Sequence, residues 1–185
     1  MNCLRTVALL LLPALPLTAQ TPAFTLFGQG CNPAGTAIEA QRWDPGTAAW
    51  VPSPPRIGRP FGVRVPRQAG ELVPLCILGR SNIVFMGQPL PLTVFFRQRL
   101  YPVTYQPEYG PCLLVGPDLV VPGSGQASYW TFSAPLPPDP SLVGLSLFMQ
   151  WALYYRQSFT MPNRPPLLAE EGIRWSRGAR MTFGI

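Results

Sequence analysis

The sequence contains no lysine and no histidine. These two absences close most routes to side-chain catalysis. A Ser-His-Asp or Cys-His arrangement lacks its base, and a Ser-Lys dyad or a Schiff base lacks its amine. Zinc and copper sites draw on His or on clustered Cys. The four cysteines at 3, 31, 76 and 112 are dispersed, so no metal is expected. Neither a Walker fingerprint nor GxGxxG occurs, and no cofactor is expected. Acidic residues are also few, only eight. Asp44 stands before Pro-Gly, Asp118 after Gly-Pro and Asp139 between prolines, all turn positions. Glu170 and Glu171 are expected in a solvated loop. No D-x-D-x-D run supports calcium. A carboxylate-pair glycoside hydrolase is the third-ranked reading, behind two non-catalytic ones.

A long apolar run is lacking too. The longest candidate, DPSLVGLSLFMQWALYY, carries no charge between Asp139 and Arg156. From Leu142 to Tyr155 it falls short of the roughly 20 residues a spanning helix needs, and Gln150 near its centre would be costly in lipid. Its period is two: Leu145, Leu147, Met149, Trp151, Leu153 and Tyr155 fall on one face, with Ser146, Phe148, Gln150, Ala152 and Tyr154 on the other. That pattern predicts a long strand, and no membrane span after residue 19.

What is abundant is punctuation: 25 Pro and 17 Gly in 185 residues, 47% of them hydrophobic. Proline breaks helix interiors and central strands, so many short elements with turns between them follow. FGVRV puts Phe61, Val63 and Val65 on one face. ELVPLCILG is apolar on both, as in a packed sheet, with Pro74 marking a bulge or an edge. FTLF, GTAIEAQRW, NIVFMG, LPLTVFF, CLLVGPDLVV, GQASYWTFSAP and the tail RMTFGI read as further strand regions. DPGTAAWVPSPPRIGRP reads as a proline-rich loop. One helical turn is expected at Ser141 to Val143. Eight to ten short strands with proline-rich connections predict a single all-β domain, an antiparallel, jelly-roll-like β-sandwich.

The N-terminus predicts an address. Arg5 precedes TVALLLLPALPLTA, an apolar core ending on the small residue Ala19. Residues 1–19 read as a secretory signal peptide and 20–185 as the domain. Losing Arg5 takes the basic count from 14 to 13, still +5 against eight acids. All basic residues are Arg, and they are scattered singly from Arg42 to Arg180. A nucleic-acid footprint should be a patch, so no nucleic acid is expected. Secretion permits a disulfide. Without Cys3, three cysteines allow one bridge and one spare thiol, with the pairing open.

FGQGC, PPRIGRPFGVRV, LGRSN, PLPLTV, GPCLLVGPD and PLPPDPSLVGLSLFMQWAL run in this order over nearly the whole of residues 20–185. Their order resembles a group of secreted proteins of unknown function abundant in planctomycete-type bacteria. The resemblance implies fold and localisation and no activity. It also implies that Cys31, in its Gly-Cys, pairs with Cys112, in its C-L-L-V-x-P-D. Cys76, among Leu75, Ile77 and Leu78, then reads as a buried thiol. The tail RWSRGARMTFGI is more basic, and the stretch RLYPVTYQPEYGPC longer, than in that group.

Aromatics give the one candidate site. Trp43, Trp50, Tyr101, Tyr105 and Tyr109 stand in or near Pro- and Gly-rich stretches, where they plug the open ends of a sandwich or stack on sugar rings. The leading expectation is a secreted, non-catalytic module acting at a surface, in a matrix or on a partner. The second is a carbohydrate-binding module using YPVTYQPEYG as its contact loop. A cell-surface glycan or protein is the expected class of partner.

Overall fold

The computed structural model describes residues 20–31, 38–44, 49–100, 105–125, 128–159 and 168–185. For 39–44, 50, 99–100, 105–106, 159 and 168–169 it describes the backbone alone. The expected leader, residues 1–19, lies outside the described residues. In chain order the strands are β1 (Ala23–Phe27), β2 (Glu39–Asp44), β3 (Ala49–Pro52), β4 (Pro60–Pro66), β5 (Glu71–Gly79), β6 (Val84–Phe85), β7 (Gln88–Pro89), β8 (Leu92–Leu100), β9 (Tyr105–Leu113), β10 (Leu119–Pro122), β11 (Ser124–Gly125), β12 (Tyr129–Pro135), β13 (Ser146–Phe159), β14 (Leu168–Trp175) and β15 (Gly178–Thr182). One turn of 3-10 helix spans Pro140–Leu142, with Asp139 as its N-cap. The molecule is all-β and sandwich-like. Its fifteen strand segments exceed the expected eight to ten, partly because three of them have two residues each.

β13 organises the larger sheet. On one side it pairs with β5, which carries β10 at its edge. On the other it pairs with β15 through Ser146–Met149 and with β14 through Ala152–Phe159. β14 and β15 are thus one long antiparallel partner with a one-residue slip at Ser176–Arg177. There Ser176 Oγ accepts the Trp151 N–H at 2.8 Å, and the Ser176 N–H reaches the Trp151 carbonyl at 3.0 Å. Beyond this line the sheet divides. β1 follows β15, while β8 and then β9 follow β14. The smaller sheet runs β11-β12-β4-β2-β3.

Two cores follow from the alternation. On one face of β13, Met149, Trp151 and Leu153 are fully buried against Phe61, Val63, Val65 and Trp130 of the smaller sheet. The other face is buried as well, because β8 and β9 curl over it. Ala152 and Trp175 there pack with Ile77, Cys112, Leu113 and Val115. Burying Trp151, Leu153 and Met149 contributes about 2–3 kcal/mol per side chain. The expected bulge near Pro74 occurs two residues earlier: Leu72 has no partner between Tyr154↔Val73 and Tyr155↔Glu71.

A glutamine inside this double core needs an explanation. Gln150 is 0% exposed. Its Nε2 donates to the Cys112 and Ser176 carbonyls at 2.7 and 2.9 Å, and its Oε1 accepts the Leu114 N–H at 2.8 Å. The side chain replaces ladder bonds where β9 ends and where the β14–β15 line slips. Gln150→Leu would leave three buried backbone groups without that partner, at about 1 kcal/mol or more each. Urea unfolding is expected to show a loss of about 3 kcal/mol at unchanged m-value. A loss under about 1 kcal/mol would make the three bonds dispensable.

The implied disulfide forms. Cys31 and Cys112 are bonded, with Cα atoms 5.5 Å apart, and Cys76 is free and buried. Cys31 continues the β1 branch: it bridges Trp175, whose N–H reaches the Cys31 carbonyl at 2.8 Å. Gly30 permits that approach, since a Cβ there would lie 2.0 Å from the Trp175 oxygen. Cys112 lies at the end of β9. The bond therefore joins the two branches of the divided sheet.

Candidate functional site

The carboxylates are the candidate catalytic groups of a chain without His or Lys. Glu71 opens β5, and its side chain is 0% exposed. It pairs with Arg174 of β14, 7% exposed, across the intervening β13. Glu71 Oε2 also accepts the Trp130 indole N–H at 2.7 Å and the Gln68 N–H at 2.9 Å. The two sheets are thus pinned together at this pole. The Arg174 guanidinium lies 5.2 Å from the Tyr155 ring centre and that of Arg67 lies 4.3 Å from Trp130.

Glu170 and Glu171, expected in a solvated loop, stand instead in β14. Two adjacent acids break the apolar pattern and so read as a loop; adjacent strand residues point to opposite faces, and each acid finds donors on its own side. Glu170 accepts the Tyr155 hydroxyl at 2.7 Å. Glu171 accepts from Gln98 and, at 3.1 Å, from the Tyr154 hydroxyl. Burial and then Glu171 push the Tyr154 phenol up. Glu108 binds Arg97 at 2.6 Å and holds that guanidinium above its usual range. Asp118 accepts the Arg80 N–H at 2.7 Å and lies below the usual carboxylate range because of it. Asp139 accepts the Ser141 N–H at 2.9 Å and is lowered likewise. Every carboxylate with a described side chain is therefore held by a donor, and among the described residues no three His, Cys, Asp or Glu could hold a metal ion.

The aromatics are placed on strands more than in loops. Trp43 lies in β2, at the end of the strand region expected from GTAIEAQRW, while Trp50 lies in β3, inside the stretch expected to be a proline-rich loop; the two are register partners at the edge of the smaller sheet. Tyr105 and Tyr109 lie in β9, at the edge of the larger sheet, so the expected contact loop is a strand from Tyr105 onward. Pro107 and Pro111 disguised it in the sequence. An edge strand accepts proline where the missing N–H would face solvent. Tyr109 is 61% exposed, its ring 6.1 Å from Phe95 in an edge-to-face contact. Tyr101 falls outside the described residues. The structure thus pairs Trp43 with Trp50 and puts Tyr105 and Tyr109 on a different sheet.

A cleft of about 720 Å³ opens where β1, at the edge of the larger sheet, faces the smaller one. Among the described residues, Phe24, Leu26, Ile38, Pro52, Ser53 and Pro54 line it together with Arg64. The Arg64 guanidinium stacks 4.2 Å from the Tyr129 ring centre. The described lining is mainly apolar, as in many small-molecule sites.

Sequence reasoning missed the partners of the buried polar side chains Glu71, Gln98, Gln150 and Arg174. Only Gln150, a lone polar residue inside FMQWAL, carried a signal; Gln98 stands between two arginines and Glu71 at a strand start, where nothing marks them as buried. No family model, no curated protein and no solved structure matches the chain.

Proposed function

We propose that this chain is a secreted, non-catalytic β-sandwich serving as a surface, matrix or interaction module, akin to the planctomycete-type secreted group its motifs resemble. The observation that carries this reading is the engagement of the carboxylates. In a chain without His or Lys they are the residual acid–base groups, and each described one is tied to an Arg, a Tyr, a Gln or a backbone N–H. The Cys31–Cys112 bond fits an oxidising compartment, and no described helix is long and apolar enough to cross a membrane. A cell-surface glycan or protein is the partner class.

The register of Trp43 opposite Trp50 favours a second reading, carbohydrate binding, with paired aromatic positions at one sheet edge. Two assays on the purified protein from residue 20 test both readings. Chromogenic glycosides, esters and phosphoesters should show no turnover; turnover abolished by Glu170→Gln or Glu171→Gln would overturn the first. Retention on insoluble polysaccharide or a glycan array, lost in Trp43→Ala or Tyr105→Ala, would establish the second. Retention unchanged in those variants would move any sugar site elsewhere.

A further inference from the structure

One pole of the sandwich is built differently from the rest of the surface. The strand ends locate it: β5 ends there at Gly79, opposite Phe148 near the start of β13. β10 begins there with Leu119, and β15 ends there at Thr182, opposite Ser146. Ile83 is 74% exposed and Met86 is 86% exposed at this pole; Val84, Leu119, Leu145 and Ile185 are also exposed there. These are six of the ten large hydrophobics exposed among the described residues.

Ile83, Val84 and Met86 sit on the β6–β7 hairpin, whose turn residues are Met86 (φ 48°) and Gly87 (φ 78°). Two positive φ values are what a two-residue hairpin of this hand demands, and the preferred residues are Asn, Asp and Gly. Methionine at the first position is strained by its Cβ. A strained, apolar side chain kept at the most exposed point of a hairpin gains nothing for the fold, so it points to an external role. The hairpin is firmly mounted. Ser81 Oγ accepts the Ile83 and Val84 N–H groups at 3.1 Å, and the Ser81 carbonyl accepts the Gly116 N–H at 2.9 Å. Phe85 packs against Gly116, and Asp118 holds Arg80.

Basic residues lie at the same pole. Arg56, Arg59, Arg80 and Arg180 are exposed at or next to this pole: Arg56 bridges Gly184, Arg59 precedes β4, and Arg180 pairs with Phe148. The described acids there are Asp118, bound to Arg80, and Asp139, the cap of the 3-10 turn.

We propose that this pole docks on an anionic lipid surface, with Ile83 and Met86 inserted at the headgroup–acyl boundary and the Arg residues on the headgroups. The occupant follows from charge. The pole combines exposed aliphatic side chains with Arg56, Arg59 and Arg180, and of its two described acids one holds Arg80 and the other caps the 3-10 turn, so its charge complements an anionic surface. Ile83 and Met86, the two most exposed, suit a wedge in lipid, where no shape complementarity is needed, and interfacial anchors combine such apolar tips with basic residues. The inference goes beyond the module reading by naming one surface.

The test is co-sedimentation of the folded, disulfide-bonded protein with phosphatidylcholine vesicles, with and without phosphatidylglycerol. Binding to the anionic vesicles is expected, weakened about tenfold or more by Ile83→Asp or Met86→Asp and about fivefold per Arg by Arg56→Gln and Arg59→Gln. Met86→Asn should relieve the turn, raising Tm by about 2–4 °C while still weakening vesicle binding. Absence of sedimentation, or equal binding by Ile83→Asp, would overturn the proposal. So would a dimer in solution that Ile83→Asp dissolves, because the tip would then serve a second copy. Turnover in the substrate screen would overturn the module reading and leave this one standing, so the two fail separately.

Discussion

Glu71→Ala is expected to destabilise the fold by about 4 kcal/mol, within the usual range for breaking a buried ion pair. The substitution removes the carboxylate facing Arg174, whose side chain is 7% exposed. It also strips the acceptor from the Trp130 indole N–H and from the Gln68 N–H. The cost falls on the contact between the sheets, since Glu71 belongs to the larger sheet and Trp130 to the smaller. An apolar replacement of both charged partners should be milder than the single change, because desolvation of the pair offsets much of its attraction. Urea unfolding of Glu71→Ala, Arg174→Met and the double variant Glu71→Met/Arg174→Met measures this directly. The expected double variant is more stable than Glu71→Ala alone. A single variant within about 1 kcal/mol of the parent would show that the pair does not hold the pole together.

Loss of the Cys31–Cys112 bond should cost a similar amount. The bond closes a sequence separation of 81 residues, which gives about 4 kcal/mol in the chain-entropy account. For a domain of this size that is a drop in Tm of about 10 °C. Cys112→Ser, or reduction without denaturant, should release the β1 branch from the β8–β9 branch while the face against the smaller sheet stays packed. Cys76 reports on the same experiment. It is 0% exposed, and burial pushes its thiol well above the ordinary range, so an alkylating reagent should reach it only on unfolding. Non-reducing peptide mapping that found Cys76 in a bridge would contradict both statements.

The alternation of Phe61, Val63 and Val65, and of Met149, Trp151 and Leu153, was legible because a half-buried strand writes its face into the sequence at period two. All six are buried as that pattern requires. β3 and β9 were not legible, because proline dominates AWVPSPP and YQPEYGP, and an edge strand tolerates proline that a central one would reject. The break of β14 from β15 at Ser176 was hidden too. A hydroxyl standing in for a ladder acceptor leaves no periodic trace. The acids were misjudged for a related reason. Glu170 and Glu171, adjacent acids, look solvated in the sequence, but their Tyr and Gln partners come from other strands. Of the candidate aromatics, only the Trp43–Trp50 juxtaposition emerged, and it needed the β2–β3 register to appear.

The proposal that this is a binding module and not a catalyst is tested most directly by following both properties on one material. Folded protein would be titrated onto insoluble polysaccharide and cell-envelope fragments while soluble product is measured. Saturable retention with no released product, unchanged by Glu170→Gln, is the predicted result. Product release that Glu170→Gln abolishes, or the absence of saturable retention on every such material, would contradict it.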